Sequence, residues 1–154
     1  MDDMRPRQSS SQQPAASGQM ALPRPSGKGG RYVVAQLGQS LDGRIATPSG
    51  ESKYINGPHA LDHLHALRAS VDAVLVGVGT VCADDPLLTL RRVPGRSPAR
   101  VVIDPSGRAD PHARCFADDG TRRLVVRRPG VTAPLPAGVE AVDCAGDGPF
   151  APEA

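Results

Sequence analysis

The sequence predicts a three-layer α/β/α fold with a mostly parallel central sheet. Two observations predict it. Short apolar runs typical of strands recur along the chain, and one of them follows a segment whose apolar residues are spaced three and four apart, as in a helix. Composition agrees, because the 154 residues include two Tyr, two Phe and no Trp, so the core must be built from aliphatic side chains.

The first elements follow a tail, residues 1–30, that is rich in Ser, Gln, Pro and Gly and is predicted to be disordered. Residues 32–38 are rich in β-branched and apolar side chains and form the first predicted strand. A helix is predicted from Asn56, its cap, with Pro58 in the first turn. Its core-facing stripe is Leu61, Leu64, Leu67, Arg68 and Val71.

Buried strands are predicted after this helix. The apolar run 73–78 is nearly continuous, as in strands that are buried on both faces of a parallel sheet. Three further strand candidates lie at residues 100–104, 123–126 and 139–142. No element is predicted from Asp143 onward.

Charge, aromatic and cysteine content exclude several classes of function. The net charge is +2, but residues 1–31 hold five basic and two acidic side chains, so the rest of the chain is slightly acidic and nucleic-acid binding is not expected. Three cysteines without close spacing predict reduced thiols and a cytoplasmic protein. No apolar stretch reaches the roughly 18 residues of a membrane span, so we expect a soluble chain without membrane contact.

Two motifs fit known sites only in part. His59, Asp62 and His63 share a helical face, but zinc needs a further ligand and no H-E-x-x-H is present, so no metal is predicted. Gly77-Val78-Gly79 follows a strand as in the dinucleotide fingerprint, but Cys82 replaces its third glycine and the acidic residue expected about 20 positions on is missing. Glycines at a strand end still allow a ligand to approach the backbone closely.

Other polar residues near strand ends have both a functional and a plain structural interpretation. Thr80 and Asp84 are four apart and can point from one helical turn toward the same space, or form only the polar side of a short helix. Asp42-Gly43 suits a functional loop or an ordinary tight turn. Arg68, Arg91 and Arg92 are able to bind a phosphate through bidentate hydrogen bonds, or to lie solvated at the surface.

Six blocks in a fixed order make a more specific pattern. They are Ser40-Leu41-Asp42-Gly43-Arg44, Gly50-Glu51-Ser52-Lys53-Tyr54-Ile55, Leu67-Arg68-Ala69, residues 74–81, Ala83-Asp84-Asp85-Pro86 with Leu88-Thr89, and residues 100–104. Together they resemble the reductase domain of the bacterial bifunctional riboflavin-biosynthesis deaminase-reductase, whose fold is similar to dihydrofolate reductase. The resemblance covers residues 31–108 and implies a reductase domain over 31–154 that is incomplete at its C-terminus.

The resemblance implies an NADPH-dependent reduction of 5-amino-6-(5-phosphoribosylamino)uracil. Hydride would reach C1′ of the sugar, opened to an imine, and would convert ribose to ribitol. It also implies a homodimer. The deaminase half is absent, because its zinc signature of H-x-E and P-C-x-x-C is not found. Two alternatives stay open: a truncated relative that is inactive or merely binds nucleotide, and an α/β binding protein that matches the blocks by chance.

The resemblance also implies site residues. The substrate-binding positions are Ser52, Arg68, Leu88 and Arg91. The cofactor-binding positions are Gly38, Tyr54, Thr80 and Asp84. We add Asp42 as a catalytic residue, because a carboxylate in the loop after the first strand would steady the charge of the imine.

The chain departs from the family pattern in several places. Gln36 stands where a lysine is frequent, Tyr54 where a tryptophan is common, and Pro105 where a serine usually contacts the cofactor. The Glu-Gly-Gly segment that cradles the cofactor's phosphates has no counterpart, and the closing strands are missing with it. We therefore expect weakened cofactor binding.

Overall fold

The computed structural model describes residues 32–48 and 57–146, and all of these except Tyr32 belong to one unit, Val33–Ala154. The predicted tail and the predicted cap Asn56 lie outside the described residues. In chain order the elements are α1 (Pro58–Ser70), β1 (Ala73–Gly77), α2 (Val78–Asp84), β2 (Ala99–Ile103), a short 3₁₀ helix (Arg114–Phe116), β3 (Arg123–Arg127) and β4 (Val139–Asp143).

The four strands form one parallel sheet in the order β1-β2-β3-β4. The register places Val76, Val102 and Val125 side by side on neighbouring strands. Each pair of strands is joined by a long crossover, as parallel pairing requires. The predicted α/β class is therefore confirmed, and the four strands predicted after the helix agree with the observed ones to within one residue at each end.

The core lies on the sheet face that α2 covers. Val78 and Val81 of α2 are each 3% exposed and pack with Val102 and Val125, which are each 1% exposed. Burying a Val side chain stabilises the fold by about 1.5–3 kcal/mol, so these contacts hold α2 firmly against the sheet. The C-terminal ends of β1 and β2 and the polar side of α2 are thereby fixed relative to one another.

The predicted strand at residues 32–38 is wrong. This segment has no regular secondary structure, and its side chains are largely exposed, with Val33 at 94% and Leu37 at 68%. Strand propensity is realised only where a neighbouring strand accepts the backbone hydrogen bonds. Within the described residues, no strand pairs with this segment.

Two details of the other elements also differ from expectation. β1 is not buried on both faces: among the described strands it pairs only with β2, and Leu75 is 62% exposed. Helix α1 begins as predicted at Pro58, but its N-cap residue is Gly57, which provides no side-chain hydrogen bond. Its buried residues are His65 and Leu67, so the predicted stripe omits the histidine.

Candidate active site

The two arginines predicted to bind substrate meet at one residue. Arg68, in the last turn of α1, donates from Nη1 to the carbonyl oxygen of Thr89 at 3.2 Å. Arg91 donates from its own Nη1 to the hydroxyl oxygen of Thr89 at 3.3 Å. The segment after α2 therefore brings together two guanidinium groups that lie far apart in the sequence.

This arginine pair is not balanced by negative charge. Within the described residues, neither guanidinium has a carboxylate at ion-pair distance, and the buried Nε of Arg68 has no hydrogen-bond partner. Burial, and then the charge of Arg91, lower the pKa of Arg68 from its usual value. Since arginine stays protonated even so, the pair is a positive site suited to a phosphate.

Leu88 lies next to this pair but cannot offer its side chain to a ligand. The side chain is 3% exposed and belongs to the hydrophobic core. Its φ is +57°, in the left-handed region, which costs on the order of 1–3 kcal/mol for a residue other than glycine. The predicted contact of Leu88 with substrate can therefore be made only by its backbone, whose unusual conformation is held by the buried side chain.

The predicted cofactor residues Thr80 and Asp84 lie on α2, and both are exposed. They are four residues apart and so share one side of the helix. Gly77, which caps α2, and Gly79 lie beside them, and a Cβ atom at either glycine would meet nothing within 4 Å. Neither packing nor a positive φ demands glycine here, and the space beside both glycines at the end of β1 is open.

Asp42 lies in a local turn, 40–44. Its carboxylate accepts from the hydroxyl of Ser40 and forms an ion pair with Nε of Arg44 at 3.2 Å. The hydroxyl of Ser40 is the main cause that lowers the pKa of Asp42, and Arg44 adds to it. The carboxylate is therefore ionised, as its predicted role requires. Gly38, which precedes the turn, is half-buried. The hydrogen bonds described for Asp42 stay within residues 40–44.

Asp104, the acidic residue that follows β2, stabilises a loop of the protein. Asp104 is 2% exposed, and its two carboxylate oxygens accept from the backbone N–H groups of Arg108 at 2.9 Å and Ala109 at 2.8 Å. These bonds close the loop that contains Pro105. Both carboxylate oxygens of Asp104 are therefore engaged by its own loop.

A cleft of about 420 Å³ lies between this loop and α2. Its lining residues are Val81, Cys82, Asp85, Arg108, Asp110, His112 and Ala113. Cys82 is on the side of α2 opposite to Thr80, so the cleft is separate from the side that carries the predicted cofactor residues.

The remaining predictions concern two residues outside the described ranges, a metal ion and a membrane. Ser52 and Tyr54 lie outside the described residues. In the ranges 32–48 and 57–146, no three His, Cys, Asp or Glu side chains are grouped so that they could hold a metal ion. Neither α1 nor α2, the helices of those ranges, has the length and apolar character needed to cross a membrane.

Sequence reasoning missed two residues of α1 that hold the segment 89–92. Nδ1 of His65 accepts from the backbone N–H of Arg91 at 3.0 Å. Asp62 forms an ion pair with Nε of Arg92 at 2.6 Å. The sequence does contain a signal for this polar face of α1: Asp62, His65 and Arg68 are spaced by three and therefore lie on the same side of the helix.

Comparison with known proteins decides the family. Residues 31–133 match the family model of the RibD C-terminal domain. The chain belongs to this family. The match begins at the end of the predicted tail and extends through β3, so it contains the arginine pair, the glycines after β1 and the turn with Asp42.

Two curated relatives are each similar to about three fifths of this chain. A protein of Methanothermobacter thermautotrophicus, named 2,5-diamino-6-ribosylamino-4(3H)-pyrimidinone 5′-phosphate reductase, is 46% identical over 91 residues, which cover 57% of this chain and 42% of the relative. The riboflavin biosynthesis protein RibD of Mycobacterium tuberculosis is 41% identical over 102 residues, which cover 62% of this chain and 29% of the relative.

A solved structure supports the fold. The crystal structure of a diaminohydroxyphosphoribosylaminopyrimidine deaminase/5-amino-6-(5-phosphoribosylamino)uracil reductase from Thermotoga maritima superposes with a TM-score of 0.62 at 37% identity. The match covers 68% of this chain and 30% of that one. The chain thus spans less than half the length of these relatives, and it shares with them the α/β fold of the reductase domain.

Proposed function

We propose that this chain acts as an NADPH-dependent reductase of riboflavin biosynthesis, on a substrate of the 5-amino-6-(5-phosphoribosylamino)uracil type. The observation that carries the proposal is the arginine pair at Thr89, a positive site without a carboxylate among the described residues, in a chain of the RibD C-terminal domain family. The named relatives act on pyrimidines that carry a phosphorylated ribosylamino group.

The substrate's phosphate would be held by Arg68 and Arg91. The guanidinium groups of Arg68 and Arg91 both donate to Thr89, so together they can bind two oxygens of the same phosphate. Arg68 is supported by its packing at the end of α1, and Arg91 is exposed at the surface where a ligand can reach it. Ser52 and the backbone of Leu88 are proposed to contact the rest of the substrate.

The cofactor would lie across the end of β1, on the side of α2 that carries Thr80 and Asp84, with Gly38 and Tyr54 as further contacts. A reduced nicotinamide supplies a hydride when bound. The chain's residues align the substrate's C1′ for that transfer. The ionised carboxylate of Asp42 stabilises the positive charge of the imine, while Gly77 and Gly79 leave room for the dinucleotide.

We further infer that the protein acts in the cytoplasm as a homodimer. All three cysteines, Cys82, Cys115 and Cys144, are free thiols, which fits a reducing compartment. Among the described strands, β1 and β4 each pair on one side only, and such edges favour pairing with a second chain.

The first test of the proposed function is turnover by the whole 154-residue chain. With NADPH and the phosphoribosylaminouracil substrate, we expect loss of the reduced-nicotinamide absorbance and a melting temperature that rises with NADPH concentration. Replacing Arg68→Ala removes hydrogen bonds to a charged group, worth about 1.5–3 kcal/mol, so the substrate KM should rise about 10- to 100-fold. The NADPH-dependent melting shift should not change.

Arg96→Ala is the matched control, because Arg96 is an exposed arginine of the same segment. It should leave both the KM and the melting shift unchanged. Absence of both turnover and an NADPH-dependent shift at millimolar cofactor would overturn the proposed function. A shift without turnover would instead support the alternative, a relative that only binds nucleotide.

A further inference from the structure

One face of α1 holds the segment that carries Arg91. Asp62, His65 and Arg68 are successive residues on this face, and they contact Arg92, Arg91 and Thr89 in that order, at 2.6, 3.0 and 3.2 Å. Helix α1 and the segment 89–92 therefore run in opposite directions, with one polar contact for every three residues of the helix. Of the three, His65 is the buried one, at 3% exposure.

The contact of His65 fixes its protonation state. The backbone N–H of Arg91 can only donate, so Nδ1 of His65 must carry a lone pair and the proton of the neutral ring must lie on Nε2. If the ring takes up a second proton, both nitrogens become donors and Nδ1 can no longer accept. The N–H of Arg91 then loses its partner.

We propose that His65 is a positioning residue for substrate binding: it holds the backbone of Arg91 so that its guanidinium meets the substrate's phosphate, and it does so only as the neutral imidazole. This inference rests on the proposed function, because Arg91 is taken as a phosphate ligand. His65 itself touches no substrate. It fixes the position of the Arg91 backbone, from which the side chain extends. Leu88, three residues earlier, has a left-handed backbone conformation and a side chain buried in the core.

The charges around His65 favour the neutral ring. Burial is the main cause that lowers its pKa from 6.5, followed by the charges of Arg68, Arg91 and Arg92, while Asp62 acts in the opposite direction. Because the folded-state pKa is lowered, the neutral state is complete above pH 6.5 and is lost as the pH falls through the lower folded-state value. Phosphate binding should weaken over the same range.

The test compares three variants in the whole chain, with ribose 5-phosphate as the probe and calorimetry as the measurement. His65→Leu removes the acceptor and should raise the Kd at least 10-fold at pH 7.5. His65→Asn keeps an oxygen acceptor near the position of Nδ1 and should bind within about threefold of the original chain, since a side-chain amide oxygen accepts the same bond. His59→Leu, an exposed histidine of the same helix, should not change the Kd.

The pH profile separates positioning from a merely structural role. As the pH falls, the phosphate takes up a proton near pH 6, and this loss of negative charge weakens binding for every form of the protein. Only the chain with His65 should lose further affinity as the pH falls below 6.5, so its profile should be steeper than that of His65→Asn. Equal profiles would overturn the inference.

A second readout needs no variant. By NMR, the backbone amide of Arg91 should shift with the titration of the His65 ring, and its hydrogen exchange should speed up when the ring is protonated. If the chemical shift and exchange rate of the Arg91 amide do not change as the His65 ring titrates, the inference is overturned, even if His65→Leu fails to fold.

The binding test separates the inference from the proposed function. Unchanged binding by a folded His65→Leu would overturn the inference and leave the proposed function standing. No binding of ribose 5-phosphate by the original chain would overturn the proposed function.

Discussion

Two pairs of arginines in this protein differ in how their charge is balanced. Arg100 and Arg123 stand side by side on β2 and β3 and are 1% and 6% exposed. Arg100 forms an ion pair with Asp119 at 2.6 Å, and Arg123 forms one with Asp118 at 3.0 Å. Each also donates to a backbone carbonyl of the loop between the two strands at 2.9 Å. This pair is neutralised by its own chain.

The pair at Thr89 has no such balance within the described residues. Arg68 and Arg91 contact only uncharged oxygens there. Unpartnered nitrogens do not distinguish the two pairs, because Nε of Arg68 and Nε of Arg100 are both buried without a hydrogen bond. What distinguishes the two pairs is whether carboxylates balance their charge. A neutralised arginine pair ties a loop to the sheet, whereas an unbalanced pair is available to an anionic ligand.

The largest effect is expected when the neutralised pair is broken. Arg100→Ala removes a fully buried side chain together with its bonds to Asp119, which is itself 37% exposed, and to Ala117, and opens a hole under the loop; such a loss costs about 3 kcal/mol. Urea denaturation should show this loss of unfolding free energy. The equivalent deletion at the other pair, Arg68→Ala, should cost about 1 kcal/mol, since only one hydrogen bond to protein is lost.

The thiol of Cys115 gives an independent measure of the same loss. It is 0% exposed, and burial raises its pKa to about 11, so it should resist thiol reagents while exposed Cys82 reacts. A loss of about 3 kcal/mol should raise its labelling rate about 100-fold in Arg100→Ala, because each 1.4 kcal/mol is tenfold. Equal rates in Arg100→Ala and Arg68→Ala would remove the distinction between the two pairs.

The sequence predicted the sheet better than it predicted these arginines, and the reason is physical. Strands β2 and β3 follow from local apolar runs whose valines are buried in the sheet, whereas β4 follows from a shorter run and is largely exposed. Residues 32–38 have similar strand propensity, but pairing depends on a distant partner strand, which a local pattern cannot reveal.

The candidate site was predicted mainly through resemblance. Arg68 and Arg91 could be named from family motifs, but their convergence on Thr89 depends on how α1 packs against a distant segment. Arg100 was assigned to a strand without being recognised as buried, because hydropathy places arginine at the surface and its burial depends on Asp119. His65 was missed for the same reason: its task is a contact 26 positions away.

A smaller effect is expected at Gly138, which lies against Arg123. Its φ is +76°, and a Cβ atom would come within 2.8 Å of Nη2 of Arg123. Gly138→Ala must therefore adopt a strained backbone and displace a guanidinium that Asp118 and a carbonyl hold in place. We expect a loss of about 2 kcal/mol in unfolding free energy, from strain and the disturbed ion pair together.

Gly130 is the matched control. Its φ is +83°, but a Cβ atom there would meet nothing within 4 Å. Gly130→Ala should therefore show the backbone strain alone, about 1 kcal/mol, in the same urea denaturation. If both variants lose the same stability, the close contact with Arg123 contributes nothing, and the neutralised pair is looser than its distances indicate.

The smallest effect is expected where an arginine is neutralised but exposed. Arg122 precedes Arg123 and donates to both carboxylate oxygens of Glu140 at 2.8 Å, yet the two side chains are 63% and 51% exposed. The hydrogen bond from Arg122 lowers the pKa of Glu140 from 4.5, so any stability from this pair is present above pH 4.5 and is lost as the pH falls through the lower folded-state value.

Solvent screens the ion pair between Arg122 and Glu140, so Glu140→Gln should leave the urea midpoint at pH 7 within measurement error of the original chain. A midpoint as low as that of Arg100→Ala would mean that neutralisation stabilises this sheet regardless of burial, and burial would then no longer separate Arg100 and Arg123 from the surface arginines.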